Sequence, residues 1–171
     1  MQQERFLYLV RHAKSSWRHD GLPDYDRPLN RRGAENAPLM ARRLQRRQVA
    51  PDLIISSPAL RAVRTATVFA QQLNGGLDRL RLDAAIYHGD ALVLLQRLMA
   101  VSDQVRQLML VGHNPSLTVL CNQLGGPPLE NIVTAGVVAF RFNGATWSEL
   151  HRDAIERLDY DYPKRSETVT G

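Results

Sequence analysis

Apolar residues in this chain fall either in short unbroken runs or in longer stretches where they recur every three or four positions. Phe6-Leu7-Tyr8-Leu9-Val10 is the first run, and its lack of alternation predicts a strand covered on both faces. Residues 11–29 are polar and rich in Pro, Asp and Gly, which predicts a long loop. From Asn30 to about Val49, Ala34, Ala37, Ala41 and Leu44 share one helical face. Pro38 lacks a backbone donor, so a kink is expected there, or a first turn that begins only near Glu35. Leu53-Ile54-Ile55-Ser56 is a second buried strand, and Ser57-Pro58 joins an N-cap to proline in the first turn of a helix. That helix should run to about Leu73 and stop at Asn74-Gly75-Gly76. Leu80 to Leu82 predicts a short third strand, and Asp90 can cap a helix reaching about Met99. Leu108-Met109-Leu110-Val111 is another buried strand, followed by a helix that starts at Asn114-Pro115 and ends before Gly125-Gly126. Val137–Phe142 and Ala145–Leu150 flank Asn143-Gly144, a dipeptide that favours a two-residue hairpin turn. After about Asp159 the chain is polar and reads as a loosely held tail over 159–171.

Strands alternating with helices imply an α/β fold. The expectation is a three-layer sandwich with a mostly parallel central sheet flanked by helices, and an antiparallel hairpin near the C-terminus. No internal repeat, low-complexity segment or Gly/Ser-rich linker interrupts the pattern, so residues 1–171 read as one domain. At 44% hydrophobic and 23% charged residues the composition is that of an ordinary globular protein. The first apolar run is far too short to span a bilayer, and the N-terminal residues do not resemble a signal peptide. Cys121, the single cysteine, cannot form an internal disulfide and falls in a predicted helix, where burial is its expected state. Together these features lead us to expect a cytoplasmic protein without membrane attachment. The net charge is +5, with Arg31, Arg32, Arg42, Arg43, Arg46 and Arg47 in one stretch. Such a run reads as the solvated face of a helix, or as a field that draws in nucleic acid, phosphoprotein or small phosphate esters.

Ligands of mostly parallel sheets sit beyond the carboxyl ends of the strands. Arg11-His12-Ala13-Lys14 follows the first strand, Ser57-Pro58-Ala59-Leu60-Arg61 the second, and Gly112-His113-Asn114-Pro115 the fourth. A parallel sheet would bring Arg11, Arg61, His12 and His113 to one edge together with two helix N-termini. Free N–H groups and the helix dipole favour an anion there, and arginine adds a planar fork that matches phosphate oxygens. Arg61 at a helix start opposes the dipole, a local conflict that an anion site would resolve. An imidazole with one free nitrogen can attack phosphorus in line and hold the phosphoryl group covalently. A backbone carbonyl just after the strand could fix the tautomer of His12. Arg11, Arg61 and His113 would then cover the equatorial oxygens, and water would release phosphate in a second step. This chemistry needs no metal and no other cofactor. His19, His88 and His151 read as packed or solvated, and the histidine spacing provides no paired zinc ligands.

Arg11-His12 directly after an apolar strand, Ser57-Pro58-x-x-Arg61-x-x-x-Thr65-Ala66 and Gly112-His113-Asn114 resemble the histidine phosphatase, or phosphoglycerate-mutase-like, superfamily. The longer run Arg11-His12-Ala13-Lys14-Ser15-Ser16-Trp17 is similar to the small SixA-type phosphohistidine phosphatases. Asp26-Arg27-Pro28-Leu29, Gly33 and Asn143-Gly144 before Trp147 extend the likeness over nearly the whole chain. The resemblance implies His12 as the phosphorylated nucleophile, with Arg11, Arg61 and His113 as the phosphate pocket. Arg27 matches an arginine of the family segment, and either reaches the site or pairs with a neighbour such as Asp24. Lys14 and Asn114 flank the motifs and are candidate substrate ligands.

Many larger members carry a glutamate acid after the third strand, whereas residues 82–90 contain none here. Asp90 or His88 is a candidate proton donor in its place, although Asp90 serves equally as a helix cap. A missing acid should impair cleavage of alkyl phosphate esters, whose leaving alkoxide needs a proton. Phosphohistidine asks less, because imidazole can leave already protonated. The chain also lacks a long insertion to cover the pocket, which suits a phosphorylated protein as the partner. The implied function is a phosphohistidine phosphatase working through a covalent intermediate on His12. The alternatives are a phosphatase of small phosphate esters and a basic nucleic-acid-binding protein. The arginine stretch has no interleaved aromatics, so nucleic acid is not the expected partner.

Overall fold

The computed structural model describes residues 4–74 and 76–166. Its strands are β1 (Arg5–Arg11), β2 (Leu53–Ser56), β3 (Leu80–Leu82), β4 (Gln107–Gly112), β5 (Val137–Phe142) and β6 (Ile155–Asp161). They form one sheet in the order β3-β2-β4-β1-β5-β6. β3, β2, β4 and β1 are parallel, whereas β5 runs antiparallel to β1 and to β6. The expected α/β sheet with an antiparallel C-terminal hairpin is therefore present. The helices are α1 (Arg31–Arg46), α2 (Leu60–Asn74), α3 (Ala85–His88), α4 (Ala91–Met99) and α5 (Ser116–Leu124). None of them is long and apolar enough to cross a membrane, among the described residues.

Strand geometry explains why the apolar runs are unbroken. Side chains alternate between faces, so Leu7 and Leu9 enter one core while Tyr8 and Val10 enter another. Leu108 and Leu110 of β4 follow the first pair, and Met109 and Val111 the second. The first core continues into Leu94, Leu98, Leu117 and Leu120 of α4 and α5, the other into Ala41, Leu44, Ala66 and Phe69 of α1 and α2. Each fully buried Leu or Phe contributes roughly 1.5–3 kcal/mol, so a charge placed in β1 or β4 would disrupt one layer or the other.

Four expectations need correction. Helix α1 begins at Arg31, not near Glu35, and continues through Pro38 to Arg46. The Asn30 side chain accepts the Gly33 N–H and so caps the first turn, which offsets the single donor that proline lacks. The partner of β5 is Ile155–Asp161, not Ala145–Leu150. Trp147 leads the intervening segment into the core, where it is wholly buried, lies 5.7 Å from the Phe142 ring and donates its indole N–H to the Val105 carbonyl. Burying an indole outweighs the local turn preference of Asn143-Gly144. Asp159–Asp161 belongs to β6 rather than to a loose tail, and Asp161 is buried beneath α1. It accepts from Arg43 at 2.9 Å and Arg47 at 3.0 Å. Arg43 accordingly points inward, so the arginine stretch is not all solvated face. Gly75 of the predicted helix stop and residues 167–171 of the predicted tail lie outside the described residues. The long loop over 11–29 holds a 3-10 turn at Asp24–Asp26 and a bridge from Ser15 to Leu29.

Candidate active site

Sheet register creates the site. β4 lies between β1 and β2, with Arg11 opposite Gly112 and Ser56 opposite Val111. The His12 N–H donates to the Gly112 carbonyl at 3.1 Å, and the Ser57 N–H to Val111 at 3.1 Å. Three chain exits are thereby held side by side, and the His12 and His113 rings stand 5.1 Å apart. A pocket of about 460 Å³ opens there, walled by Arg11, His12, Lys14, Arg27, Arg61 and His113. Arg11, His12 and Lys14 come from the end of β1 and the loop after it, His113 follows β4, Arg61 stands in the first turn of α2, and Arg27 reaches in from the loop before α1. Each of the four residues expected to form the phosphate pocket is present, and so is Arg27.

His12 is 7% exposed, and its Nδ1 lies 2.7 Å from the Ala13 carbonyl. A carbonyl only accepts, so Nδ1 carries the proton and Nε2 keeps its lone pair. Burial pushes the imidazole down to about 3; the Ala13 bond pulls upward, while His113, Arg61 and Arg11 push further down. Burial likewise lowers His113 to about 4, aided by Arg61 and opposed by Asp24. Both rings are neutral at pH 7. His113 Nε2 contacts the Ser57 hydroxyl at 2.7 Å, and its Nδ1 is buried with no partner among the described residues. Ala13 N–H donates to Thr65 Oγ1, which anchors the loop after His12 onto α2.

Arg11 donates to the Ile132 carbonyl at 2.9 Å, and burial lowers its pKa. Arg27 is clamped: its guanidinium lies 3.5 Å from the centre of the exposed Trp17 ring and pairs with Asp24 at 3.0 Å. Arg27 thus lines the pocket and also pairs with Asp24. Buried donors at Arg11 Nε, Arg27 Nη1 and Arg61 Nε have no partner among the described residues. Such groups are costly unless satisfied, and several around one pocket fit an anion. Lys14 is exposed on the rim. Asn114 lines the pocket, but its amide already donates to Asn131 and Ile132 and accepts from Thr118.

A second cleft of about 570 Å³ adjoins the first and shares His113 and Asn114 with it. Tyr87, His88, Asp90, Leu92 and Val119 line this cleft. The two candidate proton donors are therefore neighbours of the pocket rather than part of its wall. Asp90 caps α4 by accepting the Val93 N–H at 2.9 Å.

The sequence model of the histidine phosphatase superfamily, branch 1, matches residues 7–86. An uncharacterized protein of Picosynechococcus sp. is 33% identical over 160 residues, which are 86% of this chain and 90% of that one. The chain belongs to the histidine phosphatase superfamily. Its SixA-type likeness extends to the whole fold. The crystal structure of an Agrobacterium tumefaciens protein assigned as phosphohistidine phosphatase SixA is 27% identical, with a TM-score of 0.80 over 93% of this chain and 98% of that one. A protein histidine phosphatase SixA complexed with tungstate is 21% identical, and shares the fold with a TM-score of 0.76 over 92% and 97% of the two chains.

Sequence reasoning missed the contacts of Asp24 with Arg61 and Tyr87 and the second contact of Ser57. Asp24 Oδ1 accepts from Arg27, and Oδ2 accepts from Arg61 at 3.0 Å and from the Tyr87 hydroxyl at 2.7 Å. The Asp24 carbonyl accepts from Arg61 as well, at 2.7 Å. Burial raises this carboxyl, but Tyr87, Arg61 and Arg27 outweigh it and hold it down to about 2. Only the pairing of Asp24 with Arg27 was legible, because its other partners, Arg61 and Tyr87, lie 37 and 63 positions away. Ser57 was expected as the N-cap of α2, but the helix begins at Leu60, and the Ser57 hydroxyl accepts the Ala59 N–H ahead of it and also meets His113.

Proposed function

We propose that this histidine phosphatase hydrolyses protein phosphohistidine, with His12 as the nucleophile. The observation that carries the reading is the His12 ring: its Nδ1 proton is tied to the Ala13 carbonyl, and its unprotonated Nε2 belongs to a pocket walled by arginines. The Nε2 lone pair attacks phosphorus in line as the bond from phosphorus to the substrate imidazole breaks. That imidazole leaves in its protonated form, so no strong acid is needed beside it. Arg11, Arg27 and Arg61 cover the phosphoryl oxygens, with His113 beside them. Water then attacks phosphorus, the bond from Nε2 breaks, and orthophosphate leaves with the water proton passing to the product or to solvent. The side chains supply the electrostatics themselves, so the proposal includes no metal or other cofactor. Lys14 on the rim would meet the substrate's charged surface.

Phosphate release from a phosphorylated histidine-containing protein, run beside a panel of phosphate esters, tests this reading. His12→Ala should lower release by at least about 10³-fold, and the wild type should trap acid-labile phosphate on the protein. Undiminished release by the variant overturns the assignment. A second reading, small phosphate esters as substrates, draws support from the adjoining cleft, where Tyr87, His88 and Leu92 offer room for an organic leaving group. Turnover of esters without release from phosphohistidine would establish it instead.

A further inference from the structure

Asp24 is the one carboxylate paired with the pocket arginines among the described residues, and the reaction as proposed gives it no task. It does not line the pocket wall; it stands behind it, at the start of the 3-10 turn Asp24–Asp26. From there it takes Arg61 at two points, carbonyl and carboxylate, and Arg27 at a third. Tyr87, whose ring lines the adjoining cleft, pins the same Oδ2 through its hydroxyl.

We propose that Asp24 is a positioning and charge-balancing residue: it aims Arg61 and Arg27 at the pocket and offsets enough of their charge for product phosphate to leave. The proposal rests on the phosphatase reading of that pocket. Two physical arguments support it. Arginine has a long flexible stem, and a guanidinium held by a carboxylate is pre-organised for the next oxygen it meets. Three arginines and Lys14 line the pocket, so a phosphate dianion would meet a large uncompensated positive charge without Asp24. Catalysis is not served by binding that holds the product as firmly as the transition state. The carboxylate, itself half exposed, remains ionised throughout the neutral range and so supplies its offset whenever the pocket is in use.

The test measures orthophosphate binding by calorimetry and turnover of the phosphorylated protein, in the wild type, D24N and Y87F. Asp24→Asn keeps the size and an acceptor oxygen but loses the charge. Orthophosphate should bind about tenfold more tightly to it, while kcat falls about tenfold. A carboxylate that merely shaped the site would instead lose turnover and phosphate affinity together, and that result overturns the proposal, as does no change in either. Tyr87→Phe keeps the charge and releases the pin, so phosphate affinity should hold within about twofold as kcat drops about threefold. If D24N does not fold, Y87F decides: unchanged turnover overturns the proposal. A wild type that binds orthophosphate yet turns over no phosphorylated substrate sinks the phosphatase reading instead, and tighter phosphate on D24N then still supports the charge offset.

Discussion

Burial sets the charge of both imidazoles in the pocket, and this has a consequence for stability. An exposed histidine in the unfolded chain protonates near 6.5, whereas His12 and His113 in the fold resist until about 3 and about 4. As pH falls below about 6.5 the unfolded state binds protons first. Their contribution is therefore complete above the unfolded value and is lost progressively down to the folded ones. The thermal midpoint should fall between pH 7 and pH 4, and His113→Gln should flatten that slope by removing one of the two groups. Parallel slopes for variant and wild type would show that His113 is not buried neutral. Asp24 acts in a lower window, because its folded value of about 2 sits below the ordinary 3.8. At this scale the arginines and histidines next to strand ends could be read directly, since their place depends on a short backbone tether. The meeting of Asp24 with Tyr87 could not, because only the folded chain brings together residues 63 positions apart.

At the scale of elements, the loop after β1 is shaped from behind by α1. A Cβ on Gly33 would stand 2.1 Å from the Lys14 carbonyl oxygen, and the same oxygen accepts the Asn30 N–H. Backbone so close cannot yield without moving the His12–Ser15 segment. Gly33→Ala should cost roughly 1–3 kcal/mol and weaken orthophosphate binding, read by thermal melting and calorimetry. Wild-type melting and binding would mean that the loop accommodates the methyl group freely. A second tie joins α1 to β6 through Asp161, which is 2% exposed and accepts from Arg43 and Arg47. Asp161→Ala removes a buried acceptor of charged hydrogen bonds from Arg43 and Arg47, so it should lose roughly 1.5–3 kcal/mol in urea unfolding. A loss within about 0.5 kcal/mol would show the pair to be solvated. The Asp90 cap of α4 was legible, whereas the Asn30 cap of α1 was not, because Pro38 pointed to a kink or a later start. The inward turn of Arg43 was not legible, because an arginine run looks the same whether its charges meet water or Asp161.

At the scale of the molecule, the parallel order β3-β2-β4-β1 turns three separated motifs into one pocket. Unbroken apolar runs in β1, β2 and β4 announced strands buried on both faces, and the residues following each run announced the walls of one pocket. The hairpin was legible as a kind and not in its pairing. Its second strand lies at Ile155–Asp161 because Trp147 and Phe142 meet in the core, a contact that no dipeptide signal encodes. By itself the sequence determined the α/β class, the strand ends and the presence of His12, Arg11, Arg61 and His113 at them. These follow from periodicities of two and about 3.6 residues and from neighbours along the chain. Only the tertiary structure decided that Arg61 and Tyr87 converge on Asp24, that Ser57 meets His113, and which cleft adjoins the pocket. Each of those depends on groups distant in the chain coming within hydrogen-bonding reach inside a medium where burial magnifies every charge.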